Sequence, residues 1–228
     1  MDETDADVVE FGFCQGPDMK HLSTTCPNTG EISIEEVLTD DERRSSLGLD
    51  NGYIWDKVYK TRYLKENKLF FAEGLLHEDT IFVLMLRLTY NKLVRYKKCL
   101  YAHRVNETGI MFSVKKNDYG QFDRCKVMVM AVQECLKRGL LEKYYHIIES
   151  SFLHVYYGDT MYFVLQRFDH LPDEVKEMQK TVKMLFPNYS NNPYINAPDK
   201  QGVKEFLRTV EMDMTEELFQ VLKRQINS

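Results

Sequence analysis

Glu78 and Asp79 stand side by side in FFAEGLLHEDTIFVLMLRLTYN, residues 70–91, directly ahead of an almost wholly apolar run. Two carboxylates at the head of such a segment suit general acid–base work. An ionised carboxylate within hydrogen-bond reach of a hydroxyl can take its proton. His77 adds a third titratable group, and Gly74 lets the incoming backbone turn tightly. The same pair also has a purely structural explanation. The unpaired N–H groups and dipole of a helix N-terminus favour negative charge by about 0.3–1 kcal/mol each. The dipole holds Asp79 ionised but lowers its basicity, whereas burial in a cleft raises it.

The element that must position this pair is a helix. Between Glu78 and Asn91 the apolar positions 81, 82, 84, 85 and 88 follow a 3.6-residue period, and 83 and 86 fill much of the rest of the circumference. A helix apolar nearly all round is a buried one. Upstream, DADVVEFGF reads as a strand in a mostly buried sheet, and residues 14–31, with two Pro and two Gly, read as an irregular loop or loose hairpin. ISIEEVLTDDERRSS is predicted as a short helix capped by Ser33 with Glu36 three residues on. The spacing of Trp55, Val58, Tyr59 and Arg62 predicts another helix face. NKLVRYKKCLYAHRV predicts two short strands about a Lys-Lys turn.

After Tyr119 the character changes to helix. FDRCKVMVMAVQECLKRG is closed by Gly139, and LPDEVKEMQKTVKMLF is opened by Pro172. Between them lies an aromatic-rich helical stretch, and one or two further helices close the chain after a polar loop, NYSNNPYINAPDK. The organisation expected is therefore an α/β part with a mixed sheet over residues 1–118 and a helical C-terminal region over 119–228.

Composition narrows the function classes. A formal net charge of −5 leaves no basic footprint for nucleic acid. The longest clean apolar run, IFVLML, falls far short of the ~20 residues that span a bilayer. The acidic opening MDETDADVVEF fits neither a secretory signal nor a mitochondrial presequence. Five irregularly spaced cysteines without a C-x-x-C pair read as reduced thiols of a cytoplasmic protein. The six histidines are not spaced as zinc ligands. The aromatics between Tyr144 and Phe168 raise peripheral membrane contact, but the Lys/Arg-rich face of an interfacial helix is missing, and core packing is the better account of them.

One resemblance gives these residues roles. YIWDKVYKTRYLKENKLFFAEGLLHED resembles the central segment of family 2 glycosyltransferases of the bacterial polysaccharide-assembling kind. The shared pattern is W-[DN]-K-[LV]-Y, a leucine-rich turn, then F-x-E-G-x-x-x-E-D opening a helix. LVRYKKCLYAHRVNETGIM is similar to the family's Y-x-x-R-x-N-x-x-[SG]-I segment, with Gly109 where Ser is common. ADVVEFGF resembles the strand that follows the family's metal motif. The likeness covers roughly residues 5–115.

The resemblance implies a GT-A type α/β fold and sugar transfer from a nucleotide-sugar donor, with inversion, to a glycan or lipid-linked acceptor. It makes Asp79 the general base and Glu78 its support. It puts Trp55, Asp56, Lys57 and His77 near the sugar or acceptor and Arg104 near the diphosphate, where a guanidinium bonds bidentately. The family's opening strand and D-x-D motif have no counterpart here; Asp5–Ala6–Asp7 precedes the strand. At roughly 30 residues per βα unit, the absent nucleotide-binding half amounts to about 90 residues. The chain is thus expected to be a truncated GT-A half that binds no nucleotide sugar and no cofactor alone, Mn²⁺ or Mg²⁺ belonging with the D-x-D half. It is expected in the cytoplasm or at the inner face of the membrane. The alternative is an inactive remnant acting as an interaction module, pairing with a second copy or another chain through an exposed sheet edge.

Overall fold

The computed structural model describes residues 3–25, 28–36, 53–109, 115–195 and 201–226. It is an α/β protein in which the chain clusters into two compact units. The first comprises residues 1–70 and 85–114, and the second residues 71–84 and 115–228.

The first unit is built on a mixed sheet. Strand β1 (Val8–Gly16) pairs in parallel with β5 (Lys92–Arg104). On its other side β1 carries two short antiparallel strands, β2 (Ser23–Thr24) and β4 (Lys57–Tyr59). Strand β3 (Ile32–Glu36) runs antiparallel along the far side of β5. β1 thus has partners on both sides, which its Val- and Phe-rich composition requires. Asp7 joins the ends of this arrangement. Its Oδ2 accepts the N–H groups of Asn91 (2.8 Å) and Lys92 (3.2 Å), just where β5 begins.

Three local expectations are corrected here. Ile32–Glu36 is a strand, not the start of a helix. The alternation of ISI with polar neighbours suits an edge strand, and pairing with β5 outweighs the Ser33/Glu36 capping pattern; residues 37–46 of that expected helix lie outside the described residues. Trp55–Tyr59 is not helical either, since Lys57–Tyr59 pairs with Val8–Glu10 and the helix α1 (Thr61–Glu66) begins only afterwards. Finally, Lys92–Arg104 is one strand. Its Lys-Lys pair is a bulge: Phe11 faces Tyr96, Gly12 faces Cys99, and Phe13 faces Tyr101, so β5 carries extra residues at both steps. Lys97 turns instead toward the preceding loop, donating to Glu31 C=O and accepting from Gly30 N–H, both at 2.8 Å.

Helix α2 (Asp79–Thr89) forms where the periodicity predicts it. Ile81, Phe82, Leu84, Met85, Leu86 and Leu88 are all buried, as an all-round apolar helix must be. In the first unit its C-terminal part is fastened by Tyr63 of α1, whose hydroxyl shares a 2.7 Å hydrogen bond with Thr89.

The second unit is helical. α3 (Asp123–Lys137) ends at Gly139, whose φ of 67° is the left-handed conformation that glycine adopts without penalty. A short α4 (Leu140–Lys143) leads into α5 (Tyr145–Phe152), a π-helical segment (Leu153–Asp159) and α6 (Thr160–Arg167), wound without interruption. α7 (Glu174–Leu185) follows Pro172, and α8 (Gln201–Arg208) and α9 (Glu216–Ile226) close the chain. The π segment is the centre of this unit, packing against α3, α7 and α8. Tyr144, Phe152, Tyr156, Tyr157 and Phe168 are buried and serve the core, whereas Tyr162 is exposed. Side chains serve the irregular backbone of the π segment: Thr160 donates to Val155 C=O (3.2 Å) and the Cys125 thiol to Tyr156 C=O (3.5 Å). Among the described residues no helix is long and apolar enough to cross a membrane.

Candidate functional site

Asp79 is the first residue of α2, and the loop before it is held from several sides. Ala72 N–H donates to Glu78 C=O at 3.0 Å, closing residues 72–78 into a compact turn. Gly74 (φ 76°) and His77 (φ 60°) both take left-handed backbone. At glycine this costs little, whereas at histidine it costs roughly 1–2 kcal/mol and must be held by its surroundings. The hold comes from the start of α3 and the 3-10 turn just before it, Tyr119–Phe122. Leu76 N–H donates to Asp123 Oδ2 (3.2 Å), and His77 Nε2 meets Gln121 Oε1 at 3.0 Å.

The electrostatics of the turn follow from this packing. Burial pushes the Asp79 carboxyl above the usual aspartate range, and the Glu78 charge beside it adds to the effect; hydrogen bonding from backbone N–H groups opposes both. Burial and the Glu78 charge thus outweigh the backbone N–H groups at the head of α2. Burial lowers the basicity of His77, and the Arg124 guanidinium, whose Nη2 lies 3.3 Å from Nε2, lowers it further. A neutral His77 protonated at Nε2 donates to Gln121 Oε1, and the same nitrogen then cannot accept from Arg124. At Asp123 burial pushes upward, but the hydrogen bonds from Lys126 (2.7 Å) and Leu76 N–H outweigh it and hold the carboxyl below its ordinary range. Arg124 Nη1 is buried without a hydrogen-bond partner. Half-buried Asp79, exposed Glu78 and neutral His77 are thus brought together with Gln121, Asp123 and Arg124.

The remaining predicted site residues lie in the first unit and form a different cluster. Trp55 is the centre of an aromatic stack, nearly parallel to His103 (7°, centroids 4.8 Å apart) and Tyr53 (25°, 4.7 Å), tilted against Tyr101 (5.0 Å), with Phe13 at its edge (4.6 Å). Asp56 and Lys57 are each only 1% exposed at the side chain and are bound to one another, Lys57 Nζ donating to Asp56 Oδ1 at 2.6 Å. Lys57 also donates to Tyr53 C=O (2.7 Å) and pairs with Glu10 Oε1 (3.2 Å). Glu10 Oε2 accepts from Arg95 Nε at 2.8 Å, completing a run of four alternating charges. Next to it is a recess of about 390 Å³ with Phe11, Gly12, Phe13, Tyr53, Arg95 and Tyr96 among its lining, at the point where β1 and β5 part. Arg104 is exposed at the end of β5.

Sequence reasoning did not find Gln121, Asp123 or Arg124. Asp118, whose carboxylate accepts Gly120 N–H at 3.1 Å, does mark the coming helical turn, but nothing local shows that this turn supports residues 76–77. Among the described residues no group of three or more His, Cys, Asp or Glu side chains could hold a metal ion. The divalent ion that the glycosyltransferase resemblance implies has no fitting ligand set there. No family model matches the chain, and no curated protein matches it.

Proposed function

We propose that this chain carries the acceptor side of an inverting glycosyl transfer, with Asp79 as the general base. The observation that supports it most is the state of that carboxyl: half-buried at the head of a buried helix and pushed upward by burial and by Glu78. A carboxylate made more basic than ordinary aspartate, beside a histidine kept neutral, suits removal of a proton from a sugar hydroxyl. In the reaction proposed, the acceptor oxygen attacks the anomeric carbon of a nucleotide-sugar donor while Asp79 takes the hydroxyl proton. The bond to the nucleoside diphosphate breaks on the opposite side, inverting the centre. Glu78 supports Asp79 as a base, its like charge raising the proton affinity of the carboxylate, and exposed Arg104 is the candidate contact for the diphosphate. The GT-A identity, the nucleotide-binding half with its D-x-D metal, the glycan or lipid-linked acceptor, and a location in the cytoplasm or on the inner membrane face all belong to this reading.

Titration of a ¹³C-carboxyl-aspartate chain with a panel of mono- and oligosaccharides tests it. The Asp79 resonance is expected to move saturably with at least one sugar, at millimolar affinity or better. When the chain is assembled with a nucleotide-binding half, Asp79→Asn is expected to slow turnover about 100-fold or more. An Asp79 resonance that no saccharide moves at ~10 mM overturns the reading.

A second reading is an interaction module that has lost catalysis. It is favoured by the Asp56–Lys57 pair, which is buried and spends its hydrogen bonds within the protein. An isolated chain that is a monodisperse monomer in light scattering would count against self-pairing through the sheet edge.

A further inference from the structure

Two thiols of the first unit are brought together by the bulge between β1 and β5. Cys14 lies on β1 and Cys99 on β5, and both are free and half-buried. Residues 10, 12 and 14 of β1 share one face of the sheet, because side chains alternate along a strand. Cys99 is the register partner of Gly12, so its side chain belongs to that same face. Gly12 has no side chain to stand between the two, and the thiols lie within hydrogen-bonding reach of each other. The backbone fixes Cys99 there. Its N–H donates to Asn28 Oδ1 at 3.2 Å, and its thiol donates to Phe13 C=O at 3.4 Å.

Neighbouring thiols across a strand pair occur by packing alone. This pair differs from the chain's other described cysteines in having a thiol for a neighbour. Cys135 is buried, and Cys125 has its thiol directed to Tyr156 C=O and Thr160 Oγ1. Burial pushes both of these thiols up to about 12, which leaves them inert; burial and the neighbouring Cys99 thiol raise the Cys14 thiol as well. Cys14 and Cys99 combine contact with partial exposure.

We propose that Cys14 and Cys99 form a reversible disulfide joining β1 to β5, with a low-molecular-weight disulfide such as oxidised glutathione as the oxidant. One thiol, as its thiolate, attacks the glutathione disulfide and releases one glutathione thiol. The second protein thiolate attacks the mixed disulfide and releases the other. Two protein thiols are oxidised to one S–S bond, the oxidant is reduced to two thiols, and the protons pass to the two glutathione thiolates. The bond closes the seam beside the recess lined by Gly12 and Phe13. Oxidation would thus fix the separation of the two strands that shape that recess. This inference does not depend on glycosyl transfer.

The test treats the folded chain with oxidised glutathione, traps remaining thiols with N-ethylmaleimide, and maps peptides without reduction. The Cys26→Ser variant is run beside the wild type. The expected product in both is a peptide pair joined through Cys14 and Cys99, in a protein lighter by the two thiol hydrogens and restored by dithiothreitol. Cys14→Ser and Cys99→Ser, each made in the Cys26→Ser background, should instead retain one glutathione on the surviving partner. Stable glutathione adducts on both Cys14 and Cys99 of the Cys26→Ser chain, or both found as the free thiol, overturn the proposal. A link to Cys26 in place of the Cys14–Cys99 bond in the wild type overturns it as well.

Discussion

The two units handle buried charge in opposite ways. In the first, Asp56, Lys57, Glu10 and Arg95 alternate in sign, and the buried ammonium of Lys57 has three oxygen partners between 2.6 and 3.2 Å. In the second, half-buried Asp79 has a like charge and a neutral imidazole as its ionisable neighbours and takes its hydrogen bonds from backbone N–H groups alone, and Arg124 keeps a buried N–H without a partner. The residue types are the same; the coordination differs. A buried ion whose partners are complete is held in one state and suits a structural role. One left short of partners has its proton affinity moved by desolvation, which suits proton transfer. The difference explains why W-D-K and E-D, equally conspicuous in the sequence, carry different weight in the structure.

Substitution at Lys57 offers the largest test of that contrast. Lys57→Met removes the ammonium from the buried Asp56 carboxylate and from half-buried Glu10, which keeps Arg95. It should cost about 3–5 kcal/mol in denaturant unfolding, whereas Lys57→Met with Asp56→Asn and Glu10→Gln should recover much of the loss. A small effect of the single change would show that the network is not structural. Trp55→Ala removes two stacked partners, one tilted ring and one edge contact and should cost about 2–3 kcal/mol by the same measurement.

Asp79 should behave in the reverse sense. Its folded proton affinity is raised, so the native state keeps a proton that the unfolded chain releases as pH rises from the ordinary value of 3.8. Stability is therefore lost upward through that window, and Asp79→Asn should stabilise the chain at neutral pH by less than about 1 kcal/mol. The gain should vanish below the unfolded pKa. Urea midpoints at acid and neutral pH decide it, and destabilisation at neutral pH would mean that the helix dipole dominates. The smallest effect belongs to Arg124→Gln. His77 has its basicity depressed, first by burial and then by this guanidinium, so its contribution to stability is complete above 6.5 and is lost as pH falls below that value. Removing the guanidinium should move the imidazole titration, followed by NMR, part of the way back toward 6.5.

Much of this contrast was invisible in the sequence for a physical reason. The α2 helix, the Gly139 stop and the Pro172 start are written in local periodicity and punctuation, and the structure places each where they direct. β3 and β4 are too short for alternation to compete with helical spacing, and pairing with β5 and β1 decides them. β5 looked broken because its bulge places two lysines together, as a turn would. The carboxylates of Glu78 and Asp79 could be singled out from their place before α2. That Asp56 and Lys57 are consumed by Glu10 and Arg95, and that Gln121 and Asp123 support residues 76–77, are facts of tertiary contact with no local trace.

The bulge on β5 has one further consequence, a matter of parity. Beyond it, Tyr101 and His103 reach the stack around Trp55 because the number of extra residues is what it is. Shortening the strand by one residue at Lys97 or Lys98 would turn every later side chain of β5 to the opposite side of the sheet. A deletion of two would preserve the sense of the strand, so the seam tolerates even changes in length and rejects odd ones.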